Sequence, residues 1–173
     1  NLSVQVLVVG GGGGGGSKPT DNAPGTGGGG GQVIYDGVHA LTEGVYAITV
    51  GNGGPADTDG YSSIFHTITA IGGKKGLSTT YAQTGQSGNG YAGGYSDCRL
   101  GAGDAGGGGG GATAVGGNGL FENYGGVGGA GDVRVIDAEH SVEYGKGGKG
   151  GYGGNSVSPV NVGRGGDGGA SPK

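Results

Sequence analysis

A chain that sets seven glycines in succession, at residues 10–16, has given up most of the means by which a segment acquires structure. Each glycine costs about 1 kcal/mol relative to alanine in an α-helix and offers a strand no side chain to pack. Two readings remain. One is a flexible linker. The other is a polyproline-II type helix, left-handed, with about three residues per turn, a rise of about 3.1 Å per residue and no internal hydrogen bonds. The outward-pointing N–H and C=O groups of such a helix need partners, and the missing Cβ lets another backbone come close enough to supply them. Two further runs, 27–31 and 106–111, provide candidates for that role. The expectation is a bundle of glycine helices held together backbone to backbone.

The first run is entered from an alternating apolar stretch, Val4, Val6 and Val8 against Gln5, Leu7 and Val9, and the same arrangement recurs. Residues 27–31 open into Gln32-Val33-Ile34-Tyr35. Residues 39–50 read as a second strand, clearest over 45–50, and end in Gly51-Asn52-Gly53-Gly54. Residues 64–71 read as a third, carrying His66 as a surface or packing residue, and discharge into Gly72-Gly73. These alternations predict a small β region made of residues 4–9, 33–35, 45–50 and 64–71, with 133–136 as the last strand. No apolar pattern of helical period extends over ten residues. The fold class expected is therefore mainly irregular and β: polyglycine-II helices joined to a small β region, with little or no α-helix, in a single domain over 1–173.

Composition narrows the choice between bundle and linker. Glycine is 55 of 173, near the collagen fraction, but proline is only 5 and the glycines cluster, so a Gly-X-Y triple helix is excluded. Leu, Ile, Val and Phe together number 30 of 173, which by itself suggests disorder, yet a net charge of −4 is too small to keep the chain expanded. A slight apolar core beside a large backbone-bonded region satisfies both numbers. No apolar run reaches 18 residues, so no membrane-spanning helix is expected. Cys98 is the single cysteine, which rules out an intrachain disulfide framework. The chain has no Met and begins at Asn1, which suggests an excerpt or processed part of a longer protein.

Beyond residue 120 the glycines take the form X-Gly-Gly, with Tyr124, Val127 and Ala130, then Lys146, Lys149, Tyr152 and Asn155, then Arg164, Asp167 and Ala170 at X. At three residues per turn every X falls on one edge and the other two edges are bare backbone. Such a helix can touch neighbours on two sides and present its X residues to solvent or a partner, whereas the uninterrupted runs belong inside.

No catalytic constellation emerges. His39, His66 and His140 have no zinc spacing, Cys98 has no cysteine partner, and no lysine beside a glycine run has the flanking residues of a phosphate-binding loop. Nine basic against thirteen acidic residues make no nucleic-acid footprint. An enzyme is not expected, and no cofactor or metal is implied. What remains is surface. Nine tyrosines and two phenylalanines stand in a chain with few large residues, and several lie in glycine-poor insertions alongside Ser, Gly and Asn, the composition of adaptable binding loops. The alternative is that these rings cover the ends of the bundle.

The succession Val-Leu-Val-Val-Gly(7), Gly(5)-Gln-Val-Ile-Tyr, Gly-Val-Tyr-Ala-Ile-Thr-Val-Gly-Asn-Gly-Gly and Phe-His-Thr-Ile-Thr-Ala-Ile-Gly-Gly resembles the glycine-rich domain of bacteriophage tail-fibre and tail-tip proteins, above all the distal adhesins of T-even-like phages. The resemblance is strongest over residues 4–73. It implies a sandwich of polyglycine-II helices in a virion tail, attached to the rest of a tail fibre and presenting loops to a host outer-membrane protein or surface glycan. On that reading residues 55–63, 77–100 and 118–124 form the receptor surface. Asp57, Asp59 and Arg99 would orient the contact, and Tyr61, Tyr91, Tyr95, Phe121 and Tyr124 would supply its area, with Tyr61, Tyr91, Tyr95 and Phe121 clustered and exposed at one end. A related domain in receptor tyrosine kinases of the anaplastic lymphoma kinase type carries cysteines that this chain lacks. Springtail antifreeze bundles lack the apolar strands, and charged X residues match ice poorly. The main alternative is a structural subunit of an extracellular or cell-surface filament, in which X edges dock neighbouring copies.

Overall fold

The computed structural model describes residues 2–16, 25–77, 85–97, 104–120, 125–135, 141–148, 150 and 152–153. Its strands are β1 (Leu2–Val9), β2 (Val33–Leu41), β3 (Ile48–Thr49), β4 (Ser63–Phe65), β5 (Ile68–Ala70), β6 (Asp104–Ala105), β7 (Asp132–Val135), β8 (Ser141–Tyr144) and β9 (Tyr152–Gly153). They form four small antiparallel sheets, β1-β2, β3-β4-β5, β6-β9 and β7-β8. Among the described residues there is no α-helix.

The strands and the glycine runs are one continuous pairing system. Val9 faces Val33 at the end of the β1-β2 ladder. From there the N–H groups of Gly10, Gly13 and Gly16 donate to the carbonyls of Gln32, Gly29 and Thr26, so the acceptor steps back three residues whenever the donor advances three. The antiparallel register passes from strand into glycine helix without a slip, and only the repeat changes, from two residues to three. β7-β8 does the same: Asp132 faces Tyr144, and Gly147 and Gly150 then donate to Gly129 and Gly126. So does β6-β9, in which Ala105 faces Tyr152 and Gly109 and Ala112 donate to Gly148 and Gly145. The β4-β5 ladder is extended in the same register when Gly60 donates to Gly73. Among the described glycines φ is positive only at Gly90 and Gly145, so the runs keep a single hand.

A three-residue repeat points backbone groups in three directions, which allows one glycine helix to bond several others at once. Residues 106–111 show the limiting case. Their groups bond to Gly27 and Gly30, to Gly85, to Gly94, to Ala114 and Gly117, to Gly126 and Gly129, and to Gly148, so six segments surround one chain. All six glycines of this run are buried. The close approach is visible along the bond where a side chain would grow. A Cβ on Gly13 would meet the Lys74 carbonyl oxygen, one on Gly109 the Gly28 carbonyl oxygen, and one on Gly28 the Gly13 carbonyl oxygen. The α-hydrogens therefore aim at carbonyl oxygens, the geometry of weak Cα–H···O contacts that supplement the N–H···O bonds.

The conventional core is correspondingly slight: among the described residues Val8, Val33, Ala70, Ala105 and Ala112 are the buried apolar ones. The X edges behave as expected where they are described, since Val127, Ala130 and Lys146 are exposed while Gly126, Gly129, Gly147 and Gly148 are buried.

Three strand expectations are corrected. Residues 64–71 form a hairpin instead of one strand: Phe65 faces Ile68, and His66 (φ 51°) and Thr67 make the turn. Residues 39–41 belong to β2, and only Ile48 and Thr49 of the stretch 45–50 pair as a strand. The chain turns between them because the Tyr46 hydroxyl accepts the Thr42 N–H at 3.0 Å and donates to the Thr42 carbonyl at 2.8 Å. Of residues 133–136, Val133–Val135 belong to β7, which begins at Asp132, and Ile136 lies outside the described residues.

The candidate binding surface and its scaffold

The bundle has two dissimilar ends. At one, the ladders β1-β2, β3-β4-β5 and β7-β8 project beyond the glycine helices, and the Arg134 guanidinium of β7 lies 5.1 Å from the ring centroid of Tyr35 on β2. Apolar side chains stand exposed on this β end, with Val45 wholly exposed and Val38, Ile48 and Val50 each more than two thirds exposed.

At the other end the described residues beside segments 17–24, 78–84, 98–103 and 121–124 meet. Gly16, Thr26 and Leu77 are tied together there by the Gly16 N–H to the Thr26 carbonyl and by the Thr26 hydroxyl to the Leu77 backbone. Gly85 donates to Gly27, and Gly27 to Gly107. Asp97 and Ala105 exchange both backbone hydrogen bonds, Gly119 donates to Tyr95, and Gly126 donates to Gly106. The described residues flanking segments 17–24, 78–84, 98–103 and 121–124 are thereby collected at a single end.

Of the residues singled out from sequence, Arg99, Phe121 and Tyr124 lie outside the described residues. Asp57, at φ 59° in a turn, donates its N–H to Gly15 and so sits towards the loop end. Tyr95 is 58% exposed at that end, its N–H held by the Asn118 side-chain oxygen at 2.9 Å. Tyr91 is 40% exposed, with its carbonyl accepting from Ser87. Tyr61 is 58% exposed, but its carbonyl accepts from Gly11, which places its backbone close to the β end. The candidate tyrosines Tyr61, Tyr91 and Tyr95 are thus exposed without being gathered in one place. Nor is the whole of residues 55–63 free loop, because Thr58 and Tyr61 accept hydrogen bonds from Gly14 and Gly11.

Asp59 serves the scaffold. Its carboxylate takes the Lys75 N–H at 2.8 Å and the Lys74 ammonium at 2.9 Å. Desolvation, the largest single influence, opposes its charge, but the Lys75 N–H and the two lysine charges together hold its pKa below the usual carboxylate value. Glu143 is lowered as well, first by the Gly131 N–H and further by Lys146. A depressed carboxylate contributes stability that is present above the unfolded pKa, about 4, and lost as pH falls through the folded one. The domain is therefore expected to lose stability on acidification below about pH 4. Asp59→Asn combined with Glu143→Gln, which keeps acceptors for both N–H groups, should flatten that loss in a series of thermal melts between pH 5 and pH 3. An unchanged slope would remove these two groups as the cause.

These contacts belong to a class the sequence reading did not recognise. At several places among the described residues a side-chain oxygen stands in for a neighbouring backbone group. The Ser63 hydroxyl donates to the Val9 carbonyl at 2.6 Å and accepts the Gly51 N–H at 2.9 Å. Asn89 accepts from Val33, Gln32 from Ile71, Ser87 from Tyr91 and Glu143 from Gly131. Among the described residues no buried side-chain polar atom is left without a partner. A polar residue just beside a glycine run is the one signal that could have marked them.

The glycine-rich domain family matches this chain over residues 1–173. The chain belongs to the glycine-rich domain family. Comparison of this glycine-rich domain with curated proteins and with solved structures finds no match. Family membership accords with what the backbone shows, a domain whose interior is built of glycine helices.

Proposed function

We propose that this glycine-rich domain is the tip of a phage tail fibre and binds a host bacterial surface receptor, an outer-membrane protein or a glycan, through the connections at its loop end. The observation that carries the reading is the convergence of the residues flanking 17–24, 78–84, 98–103 and 121–124 on one end of a backbone-bonded bundle. A scaffold stabilised by main-chain bonds spends few side chains on itself, so connections rooted in it can change sequence without unfolding it. Asp57 and Tyr95 at that end, and Arg99, Phe121 and Tyr124 within those connections, are the residues assigned to the contact, with Tyr91 alongside. Asp59 and Tyr61, tied into the scaffold away from those connections, are left out of the contact.

The test is adsorption of the purified domain to a panel of Gram-negative cells. Replacing residues 78–84 with a Gly/Ser segment of equal length is expected to abolish adsorption with the melting temperature unchanged. A folded variant that adsorbs as before removes that connection from the site, and an intact domain that adsorbs to no cell overturns the reading.

A filament subunit is the second reading, favoured by the exposed apolar side chains of the β end, since solvent-facing apolar clusters mark contacts with other chains. Self-association of the isolated domain in sedimentation velocity, relieved by Val45→Lys and Ile48→Lys, would favour it. In a tail fibre the same face would adjoin the remainder of the fibre.

A further inference from the structure

We propose that His39 and His66 form a two-histidine site for a late first-row divalent transition-metal ion at the β end, with Asp36 orienting the buried ligand. His39, on β2, is 8% exposed. Its Nδ1 lies 2.9 Å from Asp36 Oδ2 and its Nε2 lies 3.0 Å from His66 Nδ1. The two rings are nearly perpendicular, at 81°, and His66 is itself exposed, so an ion can reach the pair from solvent.

The carboxylate decides the tautomer. Asp36 takes the Val38 N–H on one carboxylate oxygen at 3.0 Å and, on the other, accepts the proton carried by His39 Nδ1 at 2.9 Å. The Nε2 lone pair of His39 then points at His66. This is the carboxylate–imidazole arrangement that orients metal-ligating histidines and raises their basicity. His66 completes the pair by moving its proton from Nδ1 to Nε2, which frees Nδ1 without any net loss of a proton. Metal–nitrogen bonds are about 2.0–2.1 Å. Two such bonds to nitrogens 3.0 Å apart meet at close to a right angle, which suits adjacent positions of a square or octahedral ion such as Ni(II) better than tetrahedral Zn(II). Water would fill the remaining positions, because among the described residues no group of three or more His, Cys, Asp or Glu converges.

The second observation is backbone strain. His66 occupies the left-handed region, φ 51°, in a two-residue turn where Gly or Asn is the favoured residue. The Tyr46 ring packs edge-on against it at 5.0 Å and keeps it facing His39. A residue held at a cost in conformational energy, with its ring aimed at a buried, carboxylate-oriented histidine, points to use of that ring.

The experiment is calorimetric titration of the untagged full chain with NiCl2 at pH 7.5, beside two variants. His66→Gly removes a ligand and retains the turn, since glycine adopts positive φ freely. Asp36→Asn weakens the orientation of His39. The wild type is expected to take up one ion that the glycine variant does not, and Asp36→Asn should lower affinity by about 10- to 100-fold. No saturable Ni(II) binding by the wild type, or equal binding by His66→Gly, overturns the site.

Discussion

Valine at Gly13 is expected to prevent folding of the domain or to destabilise it by about 4 kcal/mol, whereas valine at Gly44 should change stability by no more than about 0.5 kcal/mol. The two positions are glycine for different reasons. Around Gly44 nothing lies within 4 Å of where a side chain would begin. At Gly13 the new Cβ would fall on the Lys74 carbonyl oxygen, which already accepts the Gly29 N–H. To make room, the segment around Lys74 would have to move outward. That movement breaks the bonds Gly29 to Lys74, Gln32 to Ile71, Gly73 to Gly11 and Gly76 to Gly14 together. At roughly 1 kcal/mol net for each hydrogen bond the loss approaches the whole stability of an ordinary domain. Urea denaturation of the two variants decides the matter, and similar midpoints would refute close packing of the runs.

The second large effect is expected at Thr26, which is fully buried at the mouth of the second glycine run. Its hydroxyl donates to the Leu77 carbonyl at 2.8 Å and accepts the Leu77 N–H at 2.6 Å, which is how a neighbouring peptide would bond. Thr26→Val keeps the shape and deletes both bonds, leaving an N–H and a carbonyl of the bundle without partners. A cost of about 2 kcal/mol follows, partly relieved by water because Leu77 is itself exposed in part. Thr26→Ser retains the hydroxyl and should be the milder change, although it removes a methyl group. The order of the two melting temperatures is the measurement, and a valine variant as stable as the serine variant would show that the hydroxyl contributes nothing.

Both predictions depend on partners that the amino-acid sequence does not name. The existence of a glycine bundle was legible because residues 10–16, 27–31 and 106–111 exclude nearly every other ordered conformation. The exposed edges at Val127 and Lys146 were legible from the three-residue spacing alone. Who bonds to whom was not, because a glycine run carries no side chain to distinguish one neighbour from another. The registers are fixed instead by the short strands flanking the runs, where Val8 and Val33 pack and β bonding sets the phase. The turn at His66 was hidden for a related reason: Ile64, Phe65, Ile68 and Ile71 have strand character on both sides of it, and the two turn residues are neither Gly nor Pro. Of the proposed contact surface, the insertions could be recognised as stretches without a glycine run. That the described residues flanking 17–24, 78–84, 98–103 and 121–124 meet at a common end follows only from the direction in which each helix runs.

Continuity of register between strand and glycine helix also governs how such a gene can change length. Deleting one glycine from residues 10–16 turns every later backbone group of that helix by a third of a turn, so each donor faces the wrong neighbour. Removing three restores the phase and shortens the helix by about 9 Å, but the antiparallel partner must lose three as well to keep its strand opposite the same residue. Growth and shrinkage of the scaffold are thus quantised in triplets shared between paired segments, while the connections at the open end are under no such arithmetic.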